Sequence, residues 1–89
     1  MKMDLWEFDV TCNGYTYSLA FRDKKSAVSR AKALMRKLVN KGYERVTGTV
    51  YHFIVDGDPE EDPADTFWWL STTKDPSLDY PVEEITLTV

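Results

Sequence analysis

A two-residue turn signal near the start of the chain constrains its fold more than any other feature. Asn13-Gly14 separates two stretches of alternating apolar and polar residues, 5–12 and 15–21. Asn-Gly favours the type I′ turn, because both residues accept the positive φ angles that this turn requires. A two-residue loop also fixes how the strands pair. The sequence therefore predicts a β-hairpin in which Cys12 faces Tyr15.

This register gives the hairpin one apolar side and one polar side, because side chains alternate along a strand. The apolar side consists of Trp6, Phe8, Val10, Cys12, Tyr15, Tyr17, Leu19 and Phe21. The polar side pairs Thr11 with Thr16, Asp9 with Ser18 and Glu7 with Ala20. Turn chemistry and apolar pattern agree independently, so we expect the apolar side to receive a helix.

The stretch that follows predicts that helix, over residues 24–41. Its apolar residues recur at three- and four-residue steps, as on one buried helix face: Ala27, Val28, Ala31, Leu34, Met35 and Leu38. Asp23 is suited to the N-cap, since its carboxylate can accept from free first-turn amides. Gly42 suits the left-handed position that ends many helices.

The same helix is basic on both flanks of its apolar stripe and contains no acidic residue. One flank carries Lys25, Lys32 and Arg36, and the other carries Arg30, Lys37 and Lys41. Basic side chains at such positions are often simply solvated, with their stems over apolar neighbours. The alternative is that the two flanks meet an anionic partner such as nucleic acid.

Charge is divided unevenly along the chain, although the net charge is only −4. Residues 22–45 hold nine of the eleven basic residues against two acids, and the remainder holds thirteen acids against two basic residues. Such a strong dipole favours oriented docking, including head-to-tail pairing with a second copy. At 89 residues we expect a single domain, 1–89.

Three further strands are predicted after the helix, over residues 45–56, 66–72 and 82–89. The predicted fold is α+β: a two-layer sandwich with one amphipathic helix on an antiparallel sheet, in the order β-β-α-β-β-β. One helix covers only one side of the sheet. Some members of an aromatic set should therefore be exposed as a contact site: Tyr51, Phe53, Phe67, Trp68 and Trp69. Alternatively, segment 73–81 folds back over them with Leu78 and Tyr80.

The loop 57–65 is acidic, and with Asp56 it holds six carboxylates. A calcium loop of the EF-hand type needs Gly at its sixth position, where this chain has Glu61. The remaining interpretations are a solvated loop or contact with a basic partner through Asp58, Glu60, Glu61 and Asp62.

No catalytic or cofactor motif is present. Cys12 and His52 are a conceivable nucleophile and base, but nothing in the sequence places them together. We therefore expect a non-enzymatic protein without a metal or cofactor. One cysteine, no signal-peptide pattern and no long apolar run predict a cytoplasmic protein that does not enter a membrane.

In size, acidity and single-helix α+β layout, the whole chain resembles the anti-CRISPR proteins, small inhibitors that phages encode against bacterial defence. That group shares no common motif, so no residue role is carried over. The resemblance implies a stoichiometric blocker of a protein or protein–RNA machine. We therefore predict a protein-binding module, and keep a nucleic-acid binder and a self-associating domain as alternatives.

Overall fold

The computed structural model describes residues 1–89 as an α+β fold with an open four-stranded antiparallel sheet. Its elements are β1 (Lys2–Cys12), β2 (Tyr15–Phe21), α1 (Lys24–Asn40), β3 (Thr47–Asp56), α2 (Pro63–Thr72) and β4 (Glu83–Leu87). A single 3-10 turn, Pro76–Leu78, precedes β4. The strand order across the sheet is β2-β1-β3-β4. Neither helix combines the length and the hydropathy that a transmembrane span requires.

The predicted hairpin is confirmed, together with its register. Cys12 pairs with Tyr15 and Trp6 with Phe21. Asn13 and Gly14 have φ angles of 51° and 82°, as a type I′ turn requires. β1 is longer than β2 and pairs along nearly all its length with β3 on its other side. It is therefore a central strand.

The predicted helix is confirmed as α1, and it covers the apolar side of the hairpin. Asp23 caps it, because its Oδ1 accepts from the backbone N–H of Ser26 at 2.8 Å. Gly42 follows the helix with a φ of 93°. The core between α1 and the sheet consists of Phe8, Val10, Cys12, Ala27, Ala31, Met35, Leu38, Val50 and Leu87.

The predicted fourth strand is wrong, because residues 66–72 belong to helix α2. The helix begins where Asp62 accepts from the N–H of Ala64 at 2.8 Å. Pro63, whose fixed φ suits the first turn of a helix, follows the cap. Thr66 and Leu70, four residues apart, are the buried residues of the helix. The element order is therefore ββαβαβ rather than the expected β-β-α-β-β-β.

α2 lies against the side of the sheet opposite α1, so the sheet carries a helix on each face instead of on one. A second core forms there from Leu5, Ala20, Phe53, Val55 and Leu70. Phe67 and Leu78 pack against this core from the side of α2. The segment after α2 thus folds back over the sheet with Leu78, as the alternative interpretation predicted, whereas Tyr80 stays exposed.

Candidate docking surface and acidic groove

The outward side of α2 exposes two tryptophans that are adjacent in sequence. Trp68 is 64% exposed and Trp69 is 59% exposed. Asp65 and Thr72 extend the exposed side toward the two ends of the helix. Thr66 and Leu70 face the sheet, so the helical period places the two indoles on the other side of α2, outside the core.

The other three aromatic residues of the predicted contact site are placed differently. Phe53 is only 5% exposed and belongs to the second core. Tyr51 and Phe67 are half-buried beside that core. The exposed members of the predicted set are therefore Trp68 and Trp69, and they lie on a helix rather than on a strand.

The acidic segment leads directly into α2 and is ordered by its own hydrogen bonds. Asp58 accepts from the N–H of Glu60 at 2.9 Å, and Glu61 Oε1 accepts from the hydroxyl of Thr66 at 2.8 Å. Arg22 donates to the backbone carbonyl of Glu61. All four predicted loop acids remain exposed: Asp58, Glu60, Glu61 and Asp62. They therefore place negative charge at the N-terminal end of α2.

The basic side chains of α1 lie on the opposite face of the sheet from α2, the helix that this acidic segment leads into. Five of the six predicted flank residues are exposed and Lys32 is half-buried. None of the six is in an ion pair; on α1, only Lys24 pairs, with Glu83 at 3.8 Å. The guanidinium of Arg30 lies over the ring of Phe21, 5.8 Å from its centroid.

A groove of about 700 Å³ opens on the second face of the sheet, between the strands and the chain that follows α2. Its apolar part consists of Tyr51, Phe53, Phe67, Leu70, Leu78 and Pro81. Its polar part consists of Glu7, Asp9, Ser71, Lys74, Asp75 and Asp79. The apolar and acidic parts meet at β1, where Leu5 of the second core and Glu7 are successive residues on the same side of the strand.

Glu7 is the unusual residue of this groove, since it is a carboxyl group that is only 3% exposed. Its Oε2 is buried without a hydrogen-bond partner. Burial first, then a hydrogen bond to Asp9 and the charge of Asp9, together raise the pKa of Glu7 to about 10. Glu7 therefore holds a proton at neutral pH, with Asp9 as its acceptor.

Strand pairing determines which side chains surround Glu7 and Asp9. Asp9 Oδ1 accepts from the hydroxyl of Ser18, which faces it across the hairpin, at 2.6 Å. Tyr51 faces Glu7 from β3. The pKa of Tyr51 is raised by burial first and by the charge of Glu84 second.

Sequence reasoning missed the groove, although it placed Glu7 and Asp9 correctly on the polar side of the hairpin. The available signal was the isolation of Glu7 between Trp6 and Phe8 in a strand that is otherwise largely apolar there. Recognising it required knowing that β1 is central and that a second helix covers this face.

Cys12 and His52 do not form a catalytic pair. Cys12 is buried. His52 lies opposite Trp6, six residues along β1 from Cys12, which corresponds to about 20 Å. The Nε2 of His52 instead lies 2.7 Å from Oδ1 of Asp4. No group of three or more His, Cys, Asp or Glu side chains is arranged to hold a metal ion.

Comparisons with protein-family models, with curated proteins and with solved structures find no match to this chain. The resemblance to anti-CRISPR proteins therefore stays a prediction.

Proposed function

We propose that this chain is a non-enzymatic protein-binding module that docks through α2. The α2 docking surface comprises Trp68, Trp69, Asp65 and the acidic segment 58–62. The observation that carries the proposal is the exposure of two adjacent indoles on the outward side of a helix that begins in that segment.

Tryptophan is among the residues most enriched at the energetic centres of protein interfaces. Burying the exposed part of each indole would contribute about 2–4 kcal/mol, at about 25 cal/mol per Å² of apolar surface. Binding energy of this size from two neighbouring side chains is sufficient to anchor an interface, if the rim is complementary in charge.

The acidic segment defines the chemistry of that rim. Its carboxylates Asp58, Glu60, Glu61 and Asp62 are exposed, and no basic side chain pairs with them. A complementary partner presents an apolar pocket surrounded by Lys and Arg. A protein groove that normally holds nucleic acid has such a basic rim. Docking into such a groove would make this chain a stoichiometric inhibitor of a defence or nucleic-acid-handling machine, as the resemblance to anti-CRISPR proteins implies.

The test is affinity capture from an extract of the source cells, using the wild type, the Trp68→Ser/Trp69→Ser variant and a Tyr15→Ser control. Tyr15 is also exposed, at 70%, but lies at the hairpin turn away from α2. A partner of the proposed kind is retained by the wild type and by the control, and is lost with the double variant. Equal capture of every protein by all three would overturn the proposal.

A second candidate function, nucleic-acid binding through α1, is favoured by the absence of ion pairs at its six flank residues. The opposing observation is the acidic remainder of the chain, which repels phosphates. Fluorescence anisotropy with a short labelled oligonucleotide tests it at low and physiological salt. Binding that disappears in the Lys32→Glu/Arg36→Glu/Lys37→Glu/Lys41→Glu variant would assign the site to α1, whereas absent or unchanged binding would exclude it.

Self-association is the remaining alternative, because α1 with its basic side chains and α2, which the acidic segment precedes, lie on opposite faces of the sheet. Two copies could then stack head to tail. Light scattering after size exclusion at low and high salt distinguishes this arrangement, since a charge-driven dimer dissociates when salt screens the pair.

A further inference from the structure

The groove beneath α2 has the composition of a ligand site that is separate from the docking surface. Its volume of about 700 Å³ lies within the range of small-molecule pockets. Its lining combines aromatic and aliphatic side chains with carboxylates. A ligand that suits both kinds of side chain has an apolar body and a cationic end.

The buried carboxyl of Glu7 supplies the specific polar contact. It lines the groove, it is 3% exposed, and its Oε2 has no hydrogen-bond partner in the protein. An acceptor in this position is costly to leave unpaired. Asp9, two residues along β1, offers a second carboxylate on the same face.

We propose that this groove binds an organic cation, an alkylguanidinium or alkylammonium group, whose N–H donors pair with Glu7 Oε2 and the Asp9 carboxylate. The hydrocarbon stem lies against Phe53, Leu70 and Leu78. The faces of Tyr51 and Phe67 add the attraction of aromatic rings for a cation. A metal ion fits this site less well, because no cluster of three ligating side chains is present.

The charges that face Glu7 favour a cation. Asp9 is the next residue on the same side of β1. Tyr51 of β3 pairs with Glu7, and Glu84 of β4 pairs with Tyr51. The chain after α2 contributes Lys74, Asp75 and Asp79 to the groove. From β2, Ala20 and Ser18 contribute no charge. Lys74 is the one positive group among several carboxylates.

Binding is coupled to loss of a proton. The free groove holds Glu7 protonated, and a bound cation stabilises its carboxylate instead. The proton passes to the buffer, so one positive charge replaces another and the groove's net charge is unchanged. Affinity should therefore rise with pH for a ligand that stays charged, by up to about tenfold per pH unit. If Glu7 and Asp9 had only a structural role, the affinity for the ligand would not rise with pH in this way.

The test is isothermal titration calorimetry of the whole chain with n-butylguanidinium chloride, at about pH 6.5 and about pH 8.5, in buffers of different ionisation enthalpy. The wild type should bind more tightly at the higher pH and release about one proton per ligand. Glu7→Gln keeps the shape of the neutral acid, and it should bind about tenfold more weakly or worse, without pH dependence. The matched control Glu44→Gln, in the exposed segment between α1 and β3 and outside both the groove and the docking surface, should bind as the wild type does.

Three results would overturn the proposal: no binding by the wild type at tens of millimolar ligand, equal binding by Glu7→Gln, or equal binding of uncharged 1-butanol. Circular dichroism establishes that Glu7→Gln is folded, and Asp9→Asn provides a second variant with the same expected loss. A glycine-flanked arginine peptide then distinguishes the two sources of the cation. Tighter binding of the peptide assigns the groove to a partner's side chain, and tighter binding of the free cation assigns it to a small molecule. Because the groove variants leave Trp68 and Trp69 unchanged, failure here does not affect the proposed docking surface.

Discussion

Met35 of α1 packs directly over Gly48 of β3, and the absence of a side chain at Gly48 allows the helix this close approach. A Cβ placed on Gly48 would overlap Sδ of Met35 and would lie 3.1 Å from its Cε. Both residues are buried, and Met35 belongs to the core between α1 and the sheet. A glycine inside a strand often marks such a close contact.

Replacing Gly48 by alanine should therefore destabilise the protein by about 1–2 kcal/mol, because the added methyl group must displace Met35. Met35→Ala alone should cost about 2–5 kcal/mol through the cavity that it leaves. In the double variant the new methyl partly fills that cavity, so the combined loss should be smaller than the sum. Urea denaturation of all four proteins measures this cycle. Additive losses would show that the two residues do not constrain each other.

Substituting the exposed aromatic residues of α2 should lower the free energy of unfolding much less than substituting the buried aromatic residue of β3. Trp68→Ser and Trp69→Ser should each lower the free energy of unfolding by no more than about 1–2 kcal/mol, because more than half of each side chain is exposed. Phe53→Ser should cost about 3–5 kcal/mol, since it removes a buried ring. Thermal or urea unfolding measures the difference. A large loss at Trp68 or Trp69 would place them in the core and remove the basis of the docking surface.

The parts of the fold that depend on local chemistry could be predicted from the sequence. Asn13-Gly14 specified the hairpin and its register, and Asp23 specified the start of α1. Strand order could not be predicted, because the pairing of β1 with β3 joins residues far apart in the chain and has no turn between them to signal it.

The segment that was predicted as a strand and is a helix has a local helix signal, although its apolar pattern favours a strand. Residues 66–72 are rich in aromatic and β-branched residues, which favour strands. Asp62-Pro63 nevertheless has the N-cap and first-turn residues of a helix. This error affects the site directly: a fold with no second helix leaves the polar side of the hairpin open and does not predict the burial of Glu7.

Asp62 should be important for the stability of α2 independently of its charge. Asp62→Ala removes the acceptor for the N–H of Ala64 and should cost about 1 kcal/mol. Asp62→Asn removes the charge but keeps a capping oxygen, and it should cost much less. Comparing the two by urea denaturation separates capping from electrostatics. Equal losses in both variants would mean that charge, not the cap, holds the start of α2, and neutralising the acidic segment would then disturb the docking surface.

Glu7 should make the stability of the protein fall as pH rises. Its pKa is about 10 in the folded chain, against an ordinary value of 4.5. The unfolded chain therefore loses this proton at a lower pH than the folded chain does. The stabilising contribution of the protonated group is complete below pH 4.5 and is lost progressively as pH rises toward 10. Across that window the slope from Glu7 alone is at most about 1.4 kcal/mol per pH unit.

Glu7→Gln should remove this dependence, because the amide stays neutral at every pH. The free energy of unfolding of this variant, minus that of the wild type, should be small in acid and should increase steadily toward pH 9, which lies inside that window. Taking the difference cancels the titration of all other groups. A constant difference for Glu7→Gln as well would mean that Glu7 ionises in the folded chain as it does in water. In that case its carboxylate is hydrated, and the groove loses the unpaired acceptor on which cation binding depends.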